Sequence, residues 1–171
     1  MKLEIGAGEN PHPNYDIHTD VLRLPDTDVI CRLDALPFVD GSIEMLRANH
    51  VLEHQSWGLI DSTLREWARV LKPSALVEIG VPDARHIAEQ WVGGELTTEE
   101  ANYWLLGGHS DRQAHRGVDG RGVPLWIWNA HHTLFDSQSL KRVVEACGFV
   151  DVSIERYSVR NLRCTCRRAE G

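Results

Sequence analysis

Leu3-Glu4-Ile5 runs straight into Gly6-Ala7-Gly8-Glu9-Asn10-Pro11, an apolar strand ending in a glycine turn, and no other short stretch of the chain restricts its fold as tightly. Gly6 and Gly8 accept positive φ and let backbone N–H groups approach a ligand, as at the start of nucleotide-type pockets in open α/β sheets. Pro11 stands where the third glycine of the dinucleotide fingerprint would fall, so a plain NAD site is disfavoured. Beyond the turn, acids recur at the ends of apolar runs. Asp20 closes Tyr15-Asp16-Ile17-His18-Thr19, and Asp34 closes Val29-Ile30-Cys31-Arg32-Leu33. A carboxylate at a strand's C-terminal end accepts from ribose hydroxyls or an adenine amino group in the crevice of such a sheet.

Periodicity places strands at about 2–5, 15–19, 28–33, 44–49, 75–80, 150–157 and 161–167, and helices at about 58–71 and 137–147. In the first helix Ile60, Leu64, Trp67, Ala68 and Leu71 recur at helical spacing and Pro73 is expected to stop it. In the second, Leu140, Val143, Val144 and Cys147 form the stripe, Asp136 or Ser137 caps the start and Gly148 suits the C-cap. This βαβ-type order predicts an α/β fold. About a dozen residues separate Gly8 from Asp20, with Pro11 and Pro13 among them, so the first crossover helix is expected to be shortened or missing.

A chain of 171 residues, 42% apolar and 25% charged, suits one domain with one core. The formal net charge of −7 argues against a nucleic-acid coat. No apolar stretch approaches the roughly 18 residues of a membrane span, and no basic-then-apolar leader is read, so the expected compartment is cytoplasmic. Cys31, Cys147, Cys164 and Cys166 are expected as free thiols, and the alternation in Leu162-Arg163-Cys164-Thr165-Cys166 sends both of the last two to one strand face as core packing.

Seven motifs, in order, resemble the class I S-adenosyl-L-methionine (SAM)-dependent methyltransferases, in particular their small type 11 group. They are LEIGAGENP (3–11), the Asp20 region, DALPFVDGSIEM (34–45), NHVLEH (49–54), RVLKP (69–73), VEIGVPD (77–83) and SLKRVVEACGF (139–149). The resemblance implies that Gly6, Ala7 and Gly8 lie against the methionine part of SAM, with Glu4 orienting that loop or the amino group. It implies Asp20 at the ribose, with Asp16 as its competitor, and Asp34 with Ala35 at the adenine. Asn49 and His50 would line the floor near the sulfonium, and the fold would be a Rossmann-like doubly wound, mostly parallel sheet with an antiparallel C-terminal strand. In this chain Lys72-Pro73-Ser74-Ala75 replaces the commoner glycine pair after the lysine and proline.

Residues 83–135 differ in kind, holding half of the 14 glycines, four of the six tryptophans and five of the nine histidines. That composition marks an elaborated insertion, helical over Ala84 to Leu106 around Gly93-Gly94, with Gly107 to Gly122 expected as a mobile loop. It reads as a substrate lid, with a homodimerisation arm as the rival reading.

Methyl transfer is an in-line displacement on a carbon already activated by a sulfonium, so the enzyme aligns the nucleophile and, for a hydroxyl, removes its proton. His50 or His54 is the expected base, with Glu53 orienting it; the bland alternative is that Glu53 and His54 start or cap the next helix. His50 and His54 are four apart, but H-V-L-E-H lacks the H-E-x-x-H order of a metalloprotease helix. His131 and His132 with Asp111 or Asp119 offer at most one histidine to a common ligand if the segment is a strand, and no metal is predicted. Arg112, His115, Arg116 and Arg121 form either an anion-binding cluster or a solvated loop face. The resulting expectation is a transferase acting on a small metabolite, sugar or sugar-linked acceptor. A non-catalytic SAM-binding partner or regulatory subunit is the alternative, and a nucleic-acid methyltransferase comes last, because no basic run or Pro-Pro-aromatic motif follows Ala48.

Overall fold

The computed structural model describes residues 1–107, 122–123 and 125–170. Seven strands, β1 (Lys2–Ile5), β2 (Ile17–Asp20), β3 (Val29–Ile30), β4 (Ile43–Asn49), β5 (Leu71–Pro82), β6 (Phe149–Ser158) and β7 (Asn161–Arg168), form one sheet. Its order is β3-β2-β1-β4-β5-β7-β6. Neighbours are parallel from β3 to β5, while β7 runs antiparallel to both β5 and β6. The expected mostly parallel sheet with an antiparallel end is therefore present, and its switch point falls between β1 and β4.

One face of this sheet builds the core. Leu3, Ile5, Leu46, Ala48, Val77, Ile79, Cys164 and Cys166 alternate onto it. Against them pack α1 (Ile60–Val70), through Ile60, Leu64, Trp67 and Val70, and α5 (Ser137–Ala146), through Leu140, Val143 and Val144. Trp67 is fully buried and its Nε1–H donates to Leu33 O at 2.8 Å, fixing the chain after β3 on α1. All four cysteines are free thiols, and Cys164 and Cys166 are buried in this core as their alternation predicts.

The other face is polar. Glu4, Arg47, Glu78 and Thr165 stand in register across β1, β4, β5 and β7. Glu4 accepts from Arg47 Nη1, and Arg47 Nε donates to Glu78 at 3.2 Å. The reason for this polarity lies in the crossovers: residues 6–16, 21–28 and 31–42 contain no helix. The first crossover helix is absent as expected, and so are the next two, leaving the described helices of the core on the α1/α5 side.

Pro73 does not stop α1. The helix ends at Val70, and Pro73 lies inside β5, where the pairing with β4 shifts from Ile43–Leu71 to Met45–Leu76. That bulge accommodates the missing N–H. The insertion begins with α2 (Ala84–Val92), capped by Asp83, and α3 (Thr98–Leu106), opened by a capping box between Thr97 and Glu100. A single turn, α4 (Leu125–Trp128), follows. The segment Gly107 to Gly122, with Asp111, Arg112, His115, Arg116, Asp119 and Arg121, falls outside the described residues except at its two ends. Among the described residues, no helix is long and apolar enough to cross a membrane.

Candidate functional site

The C-terminal ends of β1, β2 and β4 open onto a cleft of about 750 Å³, within the range of cofactor and small-molecule sites. Gly6 and Gly8 line it with φ of 63° and 62°. A Cβ on Gly6 would stand 2.4 Å from Val51 Cγ2, so the turn packs directly on the loop after β4 and excludes any side chain. Ala7 N–H donates to Thr19 O at 3.0 Å, pinning the turn to β2, but Ala7 does not itself line the cleft. Glu4 lies beneath the turn, almost fully buried. Its Oε2 accepts from His12 N–H at 2.7 Å and is 3.0 Å from His18 Nδ1, so it holds the 6–16 crossover to the sheet.

Asp20 ends β2 and lines the cleft. Its two oxygens accept from Gly8 N–H at 3.1 Å and Leu22 N–H at 2.9 Å, leaving lone pairs open on each oxygen. Asp16 sits at the other end of β2, where it accepts from Lys2 N–H at 2.8 Å. Past β3, Cys31, Arg32 and Leu33 line the wall. Asp34 is turned into a two-bond pair with Arg32, both contacts at 2.8 Å, and these hold its carboxyl below the usual range. Neither Asp34 nor Ala35 faces the cleft.

After β4 the chain turns sharply. Asn49 points away from the cleft, its Oδ1 so close over Gly80 that a Cβ there would meet it at 2.1 Å. His50 has φ 55°, held by its N–H donating to Gly80 O at 2.9 Å. A non-glycine residue in that conformation is a strained position fixed by its surroundings. His50 Nδ1 is 3.1 Å from Glu53 Oε1, and its Nε2 lies 3.4 Å from the Tyr157 hydroxyl. Burial pushes the Glu53 carboxyl up, but the His50 hydrogen bond and the nearby His54, His50 and His131 outweigh it, leaving it below its ordinary value.

His54 is oriented differently. Its Nδ1 lies 3.1 Å from Ala130 O, and its ring sits against His131 with centroids 5.1 Å apart. Burial pushes the His131 imidazolium down, only partly offset by Glu53. The strand-type alternation assumed for His131 and His132 does not apply, because residues 131–134 carry no regular secondary structure. The segment is instead clamped on the loop after β4: His132 N–H and Thr133 N–H both donate to Glu53 O, at 2.9 and 3.1 Å, and Thr133 Oγ1 donates to Gln55 O at 2.6 Å.

Of the residues singled out from sequence, Gly6, Gly8, Asp20, His50 and His54 meet in the cleft, and Glu53 stands immediately behind it. Sequence reasoning missed Leu22, Arg32, Gln55 and Trp128 among the lining residues, and weighed His132 only as a metal ligand. Leu22 and Arg32 carried a positional signal, flanking the two strand-end acids. Trp128 carried none, since only the folded insertion returns it.

No protein-family model matches the chain, and no curated protein matches it. Solved structures do. The 1,6-didemethyltoxoflavin-N1-methyltransferase of Burkholderia thailandensis, solved with 1,6-didemethyltoxoflavin and S-adenosylhomocysteine, aligns with a TM-score of 0.64 at 16% identity, over 98% of this chain and 70% of that one. A SAM-dependent methyltransferase from Archaeoglobus fulgidus aligns with a TM-score of 0.60 at 13% identity, over 97% and 85%. The chain has a methyltransferase fold. Phosphoethanolamine N-methyltransferase 2 of Haemonchus contortus aligns with a TM-score of 0.57 at 10% identity, over 99% of this chain and half of that one. The methyltransferase fold thus accompanies chemically unrelated acceptors, so it leaves the acceptor to be argued from the site.

Proposed function

We propose that this protein is a SAM-dependent methyltransferase acting on a small metabolite, sugar or sugar-linked acceptor, by O- or N-methylation. The observation that carries this reading is the joining of the Gly6–Gly8 turn to Asp20 by the Gly8 N–H bond, inside a cleft at the switch point of a methyltransferase-type sheet. The turn takes the methionine part of the cofactor, and the free lone pairs of Asp20 take the ribose hydroxyls. Leu22 and Leu33 flank the adenine. Asp34 reaches the adenine amino group only if its pair with Arg32 opens, which costs little because the Arg32 side chain is 59% exposed.

The acceptor enters from the His50 side. Glu53 holds Nδ1 of His50, so Nε2 is the atom that takes a proton from an acceptor hydroxyl or ammonium. The nucleophile then forms its bond to the methyl carbon as the carbon–sulfur bond breaks, the sulfur keeping the electron pair and leaving as the neutral thioether.

Calorimetric titration with S-adenosylhomocysteine tests the cofactor assignment. Wild type and Asp16→Ala should bind with similar micromolar affinity, and Asp20→Ala at least about tenfold more weakly, the loss of one charged hydrogen bond. Absence of binding by wild type, or an unaffected Asp20→Ala, would remove the proposal.

A further inference from the structure

We infer that Glu53, His54 and His131 form a divalent-cation site of the zinc class at the acceptor end of the cleft. One ligand atom from each lies within 4.8 Å of the others. Nitrogen and oxygen ligands about 2.1 Å from a shared zinc ion stand roughly 3.4 Å apart, so closing the set asks for side-chain shifts of about an ångström.

Three features make this a built site. Glu53 is 1% exposed, and among the described residues its Oε2 has no hydrogen-bond partner, although Oε1 is taken by His50. A buried carboxylate oxygen left bare is costly, and a cation removes that cost. Nδ1 of His54 is turned to Ala130 O, which leaves Nε2 with the lone pair. A histidine whose second nitrogen is fixed by a carbonyl is the usual arrangement of a metal ligand. The two contributing segments are also locked together by the bonds from His132 and Thr133 to Glu53 O.

His50 is engaged by Glu53 and Tyr157 and stands outside this set. The ligand that completes the set lies 77 positions after His54, at His131, and comes into range only through folding. Two histidines and one carboxylate leave coordination positions open, and of the three ligands His54 lines the cleft.

The role assigned to the ion rests on the methyl-transfer reading; the site itself does not. An acceptor hydroxyl bound to the cation becomes more acidic and gives its proton to His50 Nε2. Its oxygen then attacks the methyl carbon while the sulfur leaves with the carbon–sulfur electron pair.

The test is titration of chelator-treated protein with cobalt(II), followed by its visible d–d absorption, with zinc as competitor. One equivalent should bind, and zinc should displace it. His54→Ala and His131→Ala should each weaken cobalt binding by at least about 100-fold, the upper end of losses seen when ligand support is removed. The near-isosteric Glu53→Gln should shift or abolish the bands, and His86→Ala, on α2, should leave them unchanged. Far-UV circular dichroism checks each fold, and Glu53→Gln serves if an alanine variant does not fold. No saturable cobalt binding by folded wild type, or unchanged bands in Glu53→Gln, would overturn the site. S-adenosylhomocysteine titration on the same samples separates the two proposals: cobalt bound without the nucleoside sinks only the methyltransferase reading, and the nucleoside bound without cobalt sinks only the metal.

Discussion

Gly6 and Gly8 have nearly the same positive φ but different surroundings, and that difference separates conformational cost from contact cost. Alanine at Gly8 meets no atom of the described residues within 4 Å, whereas at Gly6 it drives its methyl into Val51. Gly8→Ala should therefore lose about 1 kcal/mol from φ strain alone. Gly6→Ala should lose about 3 kcal/mol, adding the cost of overpacking. Urea denaturation of both variants gives the comparison, and equal losses would show that Val51 yields freely. The glycine turn was legible in the sequence because a positive φ after a strand leaves so few residue choices. Val51 was not, since the close approach is set by the loop after β4. The same contrast holds for the acids: the resemblance favoured Asp20 with Asp16 as its competitor, and in the fold Asp20 ends β2 at the cleft while Asp16 precedes the start of that strand.

At the scale of elements, α5 shows a local signal that survives folding intact. Asp136 accepts from Ser139 N–H at 2.8 Å while Ser139 Oγ accepts from Asp136 N–H at 2.9 Å, and Arg85 of α2 adds two contacts to the same carboxylate. Together they lower its pKa from 3.8 to about 2, the Ser139 backbone bond leading. Asp136→Ala should cost about 1 kcal/mol, the ordinary value of an N-cap. Because the folded pKa is the depressed one, this contribution is complete above pH 4 and fades as pH falls from 4 through 2. Denaturant midpoints of wild type and variant should thus converge across that window, and a constant gap would mean the cap acts without its charge. The amphipathic stripes of α1 and α5 and the alternation of β7 were equally legible, since each is a short-range pattern. The end of α1 falls within one residue of the expected position, but Pro73, expected to stop it, is tolerated at a bulge, a feature of β4–β5 pairing that α1 does not encode.

Across the whole molecule, the loss of helices from the first three crossovers has an electrostatic consequence. A sheet wound on both sides would bury apolar residues on both faces; here the side opposite α1 and α5 carries Glu4, Arg47 and Glu78 in one row. Spacing from Gly8 to Asp20 revealed the first missing helix. It could not reveal that Glu4, expected at the loop or the cofactor amino group, would serve as the anchor replacing that helix, binding His12 N–H, His18 and Arg47 at once. The row is also graded by burial: the Glu4 side chain is 2% exposed and that of Glu78 is 32%. Removing Glu4 strands a half-buried guanidinium and a backbone donor, whereas removing Glu78 leaves Arg47 still paired with Glu4. Glu4→Ala should accordingly destabilise the fold by about 3 kcal/mol, the cost of breaking a buried pair from one side. Glu78→Ala should cost less than about 1 kcal/mol, as for an exposed pair. Guanidinium chloride would screen these pairs as it unfolds the protein, so urea at low salt is the appropriate measurement. If the two variants lose equal stability, the row acts as one network and Glu4 has no special place in it; the larger loss at Glu4 would mean that a single carboxylate has taken over the task that a crossover helix performs elsewhere.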